Sequence, residues 1–172
     1  YKPIKDLGGA YAGVGSDQAY ILIGWQRPQV AWLIDYDLWI SYIHLIHHAL
    51  ILTADTPDAY LFLWTDYGVP QALAAINDIY KDRPASEVEF IRNLYSEARL
   101  QILPRLNTLR DTLRAQNTPS YLDDPDTYAF VRAMIRDKRV RPMVGNLLET
   151  RALPSIAAAT RALGLTLRVL YL

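Results

Sequence analysis

Short unbroken apolar runs alternate along the chain with longer stretches whose apolar positions recur every three or four residues. That alternation predicts strands and helices in turn. Four runs read as strands, over residues 10–14, 30–35, 142–145 and 165–172. The run Val30-Ala-Trp-Leu-Ile has no polar alternation, as expected of a parallel strand covered on both faces. Helical spacing is found over 17–26, 38–53, 86–116, 127–137 and 153–163. Shorter helices are predicted from the start signal Asp55-Thr-Pro-Asp58 to about residue 67, and over 70–81.

Local signals punctuate these elements. Ser16 or Asp17 is a natural N-cap for the first helix, and Arg27-Pro28 ends it. Ser86 with Glu89 three residues on reads as a capping box, and Pro104 predicts a kink in the helix that follows. Gly68 stops one helix and Gly164 suits the C-cap of the last. The alternation predicts an α/β fold, Rossmann-like and doubly wound, with a mostly parallel sheet. It forms a single domain over 1–172. Residues 38–137, between the second and third strands, read as a large helical insertion over the carboxyl ends of the strands. The alternative is that Leu61-Phe-Leu-Trp64 is a further strand.

Composition narrows the function classes. At 172 residues the chain can bury a proper core without a disulfide or metal staple. Eighteen basic residues balance eighteen acidic ones, so no overall field attracts nucleic acid. Arg132 to Arg141 holds five Lys or Arg residues, and its plain reading is a solvated face. No apolar stretch is long enough to predict a membrane span. Cysteine is absent, which excludes thiol chemistry and leaves the compartment open between cytoplasm and export. The chain starts at Tyr1 without a signal-like segment, as a trimmed product does, and the last predicted strand implies further residues after Leu172.

Chemistry-bearing residues gather at two strand ends. Gly13-Val-Gly15-Ser16-Asp17-Gln18 follows the first strand, and its glycines leave backbone N–H groups uncovered for an anion or a ribose. The alternative is a tight turn with no ligand. The third glycine of a dinucleotide fingerprint would fall at Gln18, which argues against NAD. Asp35 and Asp37 close the second strand, where open α/β sheets bind ligands; each can instead serve the start of the next helix. Asp37, Ser41, His44 and His48 share one face of that helix. A polar face lining a cleft is favoured there over a metal site, since no third ligand is evident, and a histidine could serve as general base. Trp25, Trp32, Trp39 and Trp64 sit in apolar patterns and are expected in the core. No Gly-x-Ser-x-Gly elbow or Walker-type loop is present.

Three blocks carry a family resemblance: residues 8–20, Arg27-Pro28 with Ile34-Asp35, and Gly145-Asn146-Leu147 with Leu170-Tyr171-Leu172. With these the chain resembles a family of bacterial proteins whose domain is similar to the Rossmann-like fold of S-adenosylmethionine-dependent methyltransferases. Family members continue past the last strand. The resemblance implies an S-adenosylmethionine-type cofactor at Gly13, Gly15, Ser16, Asp17 and Gln18, with Asp35 and Asp37 on the ribose side. It implies Asn146 beside the reacting group, and the histidine-bearing face of the second helix adds His44 there. Tyr11 stands where methyltransferases carry an acidic residue, and Asp17 replaces their third glycine. The expectation is a methyltransferase-like small-ligand protein; the alternative is a non-catalytic scaffold that keeps the fold without the cofactor.

Overall fold

The computed structural model describes residues 2–146, 149 and 151–172. Four strands form one sheet: β1 (Ala10–Gly13), β2 (Val30–Asp35), β3 (Val140–Val144) and β4 (Leu167–Tyr171). They run parallel in the order β3-β2-β1-β4. The order reverses between β1 and β4, which is where doubly wound sheets open a crevice at their carboxyl ends. Side chains alternate across the sheet as period two requires. Tyr11, Ala31 and Leu33 enter the larger core, while Ala10, Ala12, Val30, Trp32 and Ile34 enter a smaller one.

Seven α-helices are found among the described residues: α1 (Asp17–Gln26), α2 (Leu38–Thr53), α3 (Pro57–Phe62), α4 (Val69–Ile79), α5 (Ala85–Ala115), α6 (Pro125–Arg136) and α7 (Ala152–Ala162). The smaller core is closed by Ile156 of α7. The other six helices contribute to the larger core, centred on Trp64, Tyr60 and Tyr95. No strand is present between β2 and β3 among the described residues, so Leu61 to Trp64 is not one. α2 lies against β2 and β3, and α5 reaches the carboxyl rim through Arg105. Gln26, at the end of α1, donates from Nε2 to the carbonyls of Gly8 (2.8 Å) and Ala10 (3.0 Å), tying that helix to the start of β1.

Several local expectations are corrected. The capping box at Ser86 does not form. Helix α5 starts one residue earlier, with Pro84 at the N-cap and no side-chain cap bond, while Glu87 accepts from Arg83 at 2.5 Å. Pro104, where a kink is expected, lies inside this helix. Ser16 holds the N-cap position of α1, but its hydroxyl donates to Asp17 rather than capping a backbone N–H. Trp39 is half exposed and packs at a tilt against Phe90 instead of entering the core. Arg132 is more than a solvated charge. It donates to the carbonyls of Ile51 and Leu52 and pairs with Asp55, covering the last turn of α2 as a C-terminal cation does. Of the loop expected over 146–150, residues 147, 148 and 150 lie outside the described residues, as does Tyr1.

Tyr11 and Gly13 explain each other. A Cβ on Gly13 would collide with the Tyr11 phenol, so glycine here makes room for a ring. The Tyr11 hydroxyl is buried without a partner. Tyr11→Phe is therefore expected to leave stability unchanged or raise it by up to about 1 kcal/mol, because an orphaned buried hydroxyl carries a desolvation cost. Thermal melts of the two proteins check this, and a fall of several degrees would contradict it.

Candidate functional site at the carboxyl rim of the sheet

The strand register decides which residues share the rim. Gly13 is level with Leu33, so Gly15 and Asp35 both stand two residues beyond one rung. Asp35 is level with Val144, and its carbonyl accepts from Gly145 N at 2.9 Å, so Asn146 follows at the same edge. On the other side Gly13 is level with Tyr171, whose hydroxyl donates to Gln18 Oε1 at 2.9 Å. The sheet thus collects Gly15, Gln18, Asp35 and Asn146 at one end.

Gly15 has φ +83°, and a Cβ there would meet nothing within 4 Å. The turn bends through a conformation that glycine adopts at little cost, and open space lies on its outer side. Beside it a cleft of about 250 Å³ is lined by Ser16, Asp17, Gln18, Arg105 and Leu109. A second cleft of about 220 Å³, mostly apolar, shares Gln18 and Leu109 and extends to Trp25 and Tyr171. At Asp35, Oδ1 accepts from Asp37 N at 3.0 Å. Asp37 caps α2, accepting from Trp39 N at 2.9 Å. Of the two readings for Asp37, the structure contains the helix cap.

Behind the turn lies a buried polar cluster. His44 Nε2 donates to the Gly15 carbonyl at 2.9 Å, and Tyr20 donates to His44 Nδ1 at 2.9 Å. A carbonyl can only accept, so the proton sits on Nε2. One helical turn on, His47 Nε2 lies 3.2 Å from Asp17 Oδ1 and its Nδ1 lies 2.7 Å from the Tyr60 hydroxyl. Asp17 is buried and accepts also from Ser16 Oγ and from Arg105 through Nε and Nη2. Burial alone raises the Asp17 pKa. The hydrogen bonds and charges of His47 and Arg105 outweigh that and hold it well below the usual carboxylate range.

Burial, with the neighbouring His47, pushes His44 down to about 3. His48 is likewise lowered to about 3 by burial and by His44 and His47, and its Nε2 has no partner. The face expected to line a cleft is divided: His44 and His48 are in the core, while Ser41 lines a cleft of about 200 Å³ with Leu38 and Arg83, its hydroxyl buried without a partner. His44 is neutral with both ring nitrogens engaged, which suits a scaffold for the turn better than a proton acceptor. Among the described residues no group of three or more His, Cys, Asp or Glu is placed to hold a metal ion.

Sequence reasoning gathered Gly15, Ser16, Asp17 and His44 without their partners. It missed Arg105, Tyr20, His47 and Tyr60 as a network. The spacing of His44 and His47 on one helix was the available signal, but Arg105 is 88 residues from Asp17 and nothing local announces that contact.

A domain-family profile described as "Domain of unknown function (DUF7790)" matches residues 1–172. No curated protein matches the sequence. No helix among the described residues is long and apolar enough to cross a membrane.

Proposed function

We propose that this chain, which belongs to the DUF7790 family, is a small-ligand protein whose site is the carboxyl rim around Gly15 and Asp35. The ligand class we favour is an S-adenosylmethionine-type molecule. In this reading the 13–18 turn takes the amino-acid end, the carboxylate of Asp35 takes the ribose hydroxyls, and Asn146 stands toward the reacting group. The observation that carries the reading is the register: neighbouring parallel strands deliver an open, positive-φ glycine and a half-buried carboxylate to the same edge. Methyl transfer would ask of these residues chiefly orientation and exclusion of water.

A second reading, a binding or scaffold protein without catalysis, is favoured by one specific observation. The buried histidine nearest the turn, His44, is already committed through both nitrogens. Tyr11, at the acidic place of methyltransferases, is a fully buried phenol packed against Gly13.

Thermal-shift titrations with S-adenosylmethionine, S-adenosylhomocysteine and NAD test the proposal. A ligand at a hundred times its Kd adds about 2.7 kcal/mol to the native state, which for a chain of this size is roughly 5–10 °C. The expected result is such a rise with the two adenosyl compounds and none with NAD, reduced at least tenfold in affinity by Asp35→Ala. No rise with any of the three in the intact protein would overturn the ligand reading and leave the scaffold.

A further inference from the structure

Resting on that reading of the rim, we infer that His44 is a positioning residue that holds the Gly15–Ser16 peptide so that the Ser16 N–H faces the ligand. A trans peptide is planar, with its carbonyl and the following N–H pointing to opposite sides. The Gly15 carbonyl points inward, to His44 Nε2 at 2.9 Å. The Ser16 N–H of the same peptide therefore points outward, and it has no intramolecular partner among the described residues. Tyr20 fixes the imidazole tautomer by donating to Nδ1 at 2.9 Å. Both residues are buried, so their orientation does not depend on solvent.

The other side of Ser16 is held from α2 and α5. His47, engaged by Tyr60, reaches Asp17, and Arg105 bridges Asp17 Oδ1 and Ser16 Oγ at 3.0 Å each. Two histidines of α2, each engaged by a tyrosine from another helix (Tyr20 of α1, Tyr60 of α3), thus clamp residues 15 and 17, with one outward amide between them. Without the first clamp, a glycine free to take either sign of φ could turn the peptide over. The ligand group that an outward N–H selects is an anionic oxygen, such as the carboxylate of an amino-acid moiety.

The test compares two probes, S-adenosylhomocysteine, which carries a carboxylate, and methylthioadenosine, which lacks one. The wild type is expected to prefer the first by about tenfold or more, the size of one charge-assisted hydrogen bond. His44→Leu is expected to bring that preference close to unity while methylthioadenosine binds within about twofold of wild type. His44→Gln, whose amide nitrogen can take the place of Nε2, is expected to restore the preference. If His44→Leu keeps the preference, or weakens both probes equally, the inference is overturned. Should His44→Leu fail to fold, Tyr20→Phe is read in the same way, with a preference reduced at least threefold supporting the inference and an unchanged one overturning it. Wild type binding neither probe sinks the ligand reading alone. The Ser16 amide then decides this inference: its NMR order parameter is expected near 0.85 in wild type and below about 0.6 in the variant that folds. An unchanged value overturns it.

Discussion

Asp17→Ala is expected to lower stability by about 3–5 kcal/mol and the melting temperature by roughly 6–20 °C. Asp17 accepts hydrogen bonds from Ser16, His47 and Arg105 inside the core. Removing it strands the buried His47 Nε2, which is fully enclosed, and leaves the Arg105 guanidinium with Ser16 alone. The converse change is expected to be milder. Arg105 is about half exposed, so water can replace much of what Arg105→Ala removes. Urea melts of both variants check the asymmetry. A loss below about 1 kcal/mol for Asp17→Ala would show that the cluster does not hold the turn.

Acidification is expected to destabilise the protein well before its carboxylates as a whole are protonated. His44 and His48 are lowered to about 3 in the folded state, against an ordinary value of 6.5. Below pH 6.5 the unfolded chain therefore binds protons that the folded chain refuses, and stability falls as pH drops toward about 3. Two such groups give a slope approaching about 2.7 kcal/mol per pH unit between roughly pH 6 and 4. Over that span the loss is a large fraction of the stability of an ordinary domain. Asp17 adds to the same trend lower down, since its stabilisation is present above the ordinary carboxylate range and lost as pH falls through its depressed value. His48→Leu removes a ring whose Nε2 has no partner, and is expected to roughly halve the slope at little cost near neutrality. Urea melts from pH 7.5 to 4 measure both slopes; equal slopes for wild type and variant would contradict the assignment.

The legible parts of the fold are those decided locally. Helices over 17–26 and 38–53 and the strand over 30–35 stand where periodicity and the Arg27-Pro28 break put them, because each element carries its own boundary. The rim was legible too, since a parallel pair joined by one helix has few ways to arrange its ends. The start of α5 was misread because Ser86 and Glu89 fit a capping pattern while Pro84, two residues earlier, already fixes a φ suited to the helix entrance. The position of Asp17 in the turn is visible in the sequence, and its burial is not. Whether a turn carboxylate faces solvent or core depends on Arg105 and His47, from helices 88 and 30 residues away, and no local signal encodes that.

The most direct test is where a ligand lands. The structure has a larger cleft elsewhere, about 610 Å³ between β2 and α7, lined by Trp32, Arg139, Arg141 and Leu163. Titrating isotope-labelled protein with S-adenosylhomocysteine and following backbone amides separates the two locations. The account predicts shifts concentrated at residues 13–18, 35–37 and 145–146, diminished by Asp35→Ala. Shifts confined to the amides around Trp32, Arg139 and Leu163 would contradict it.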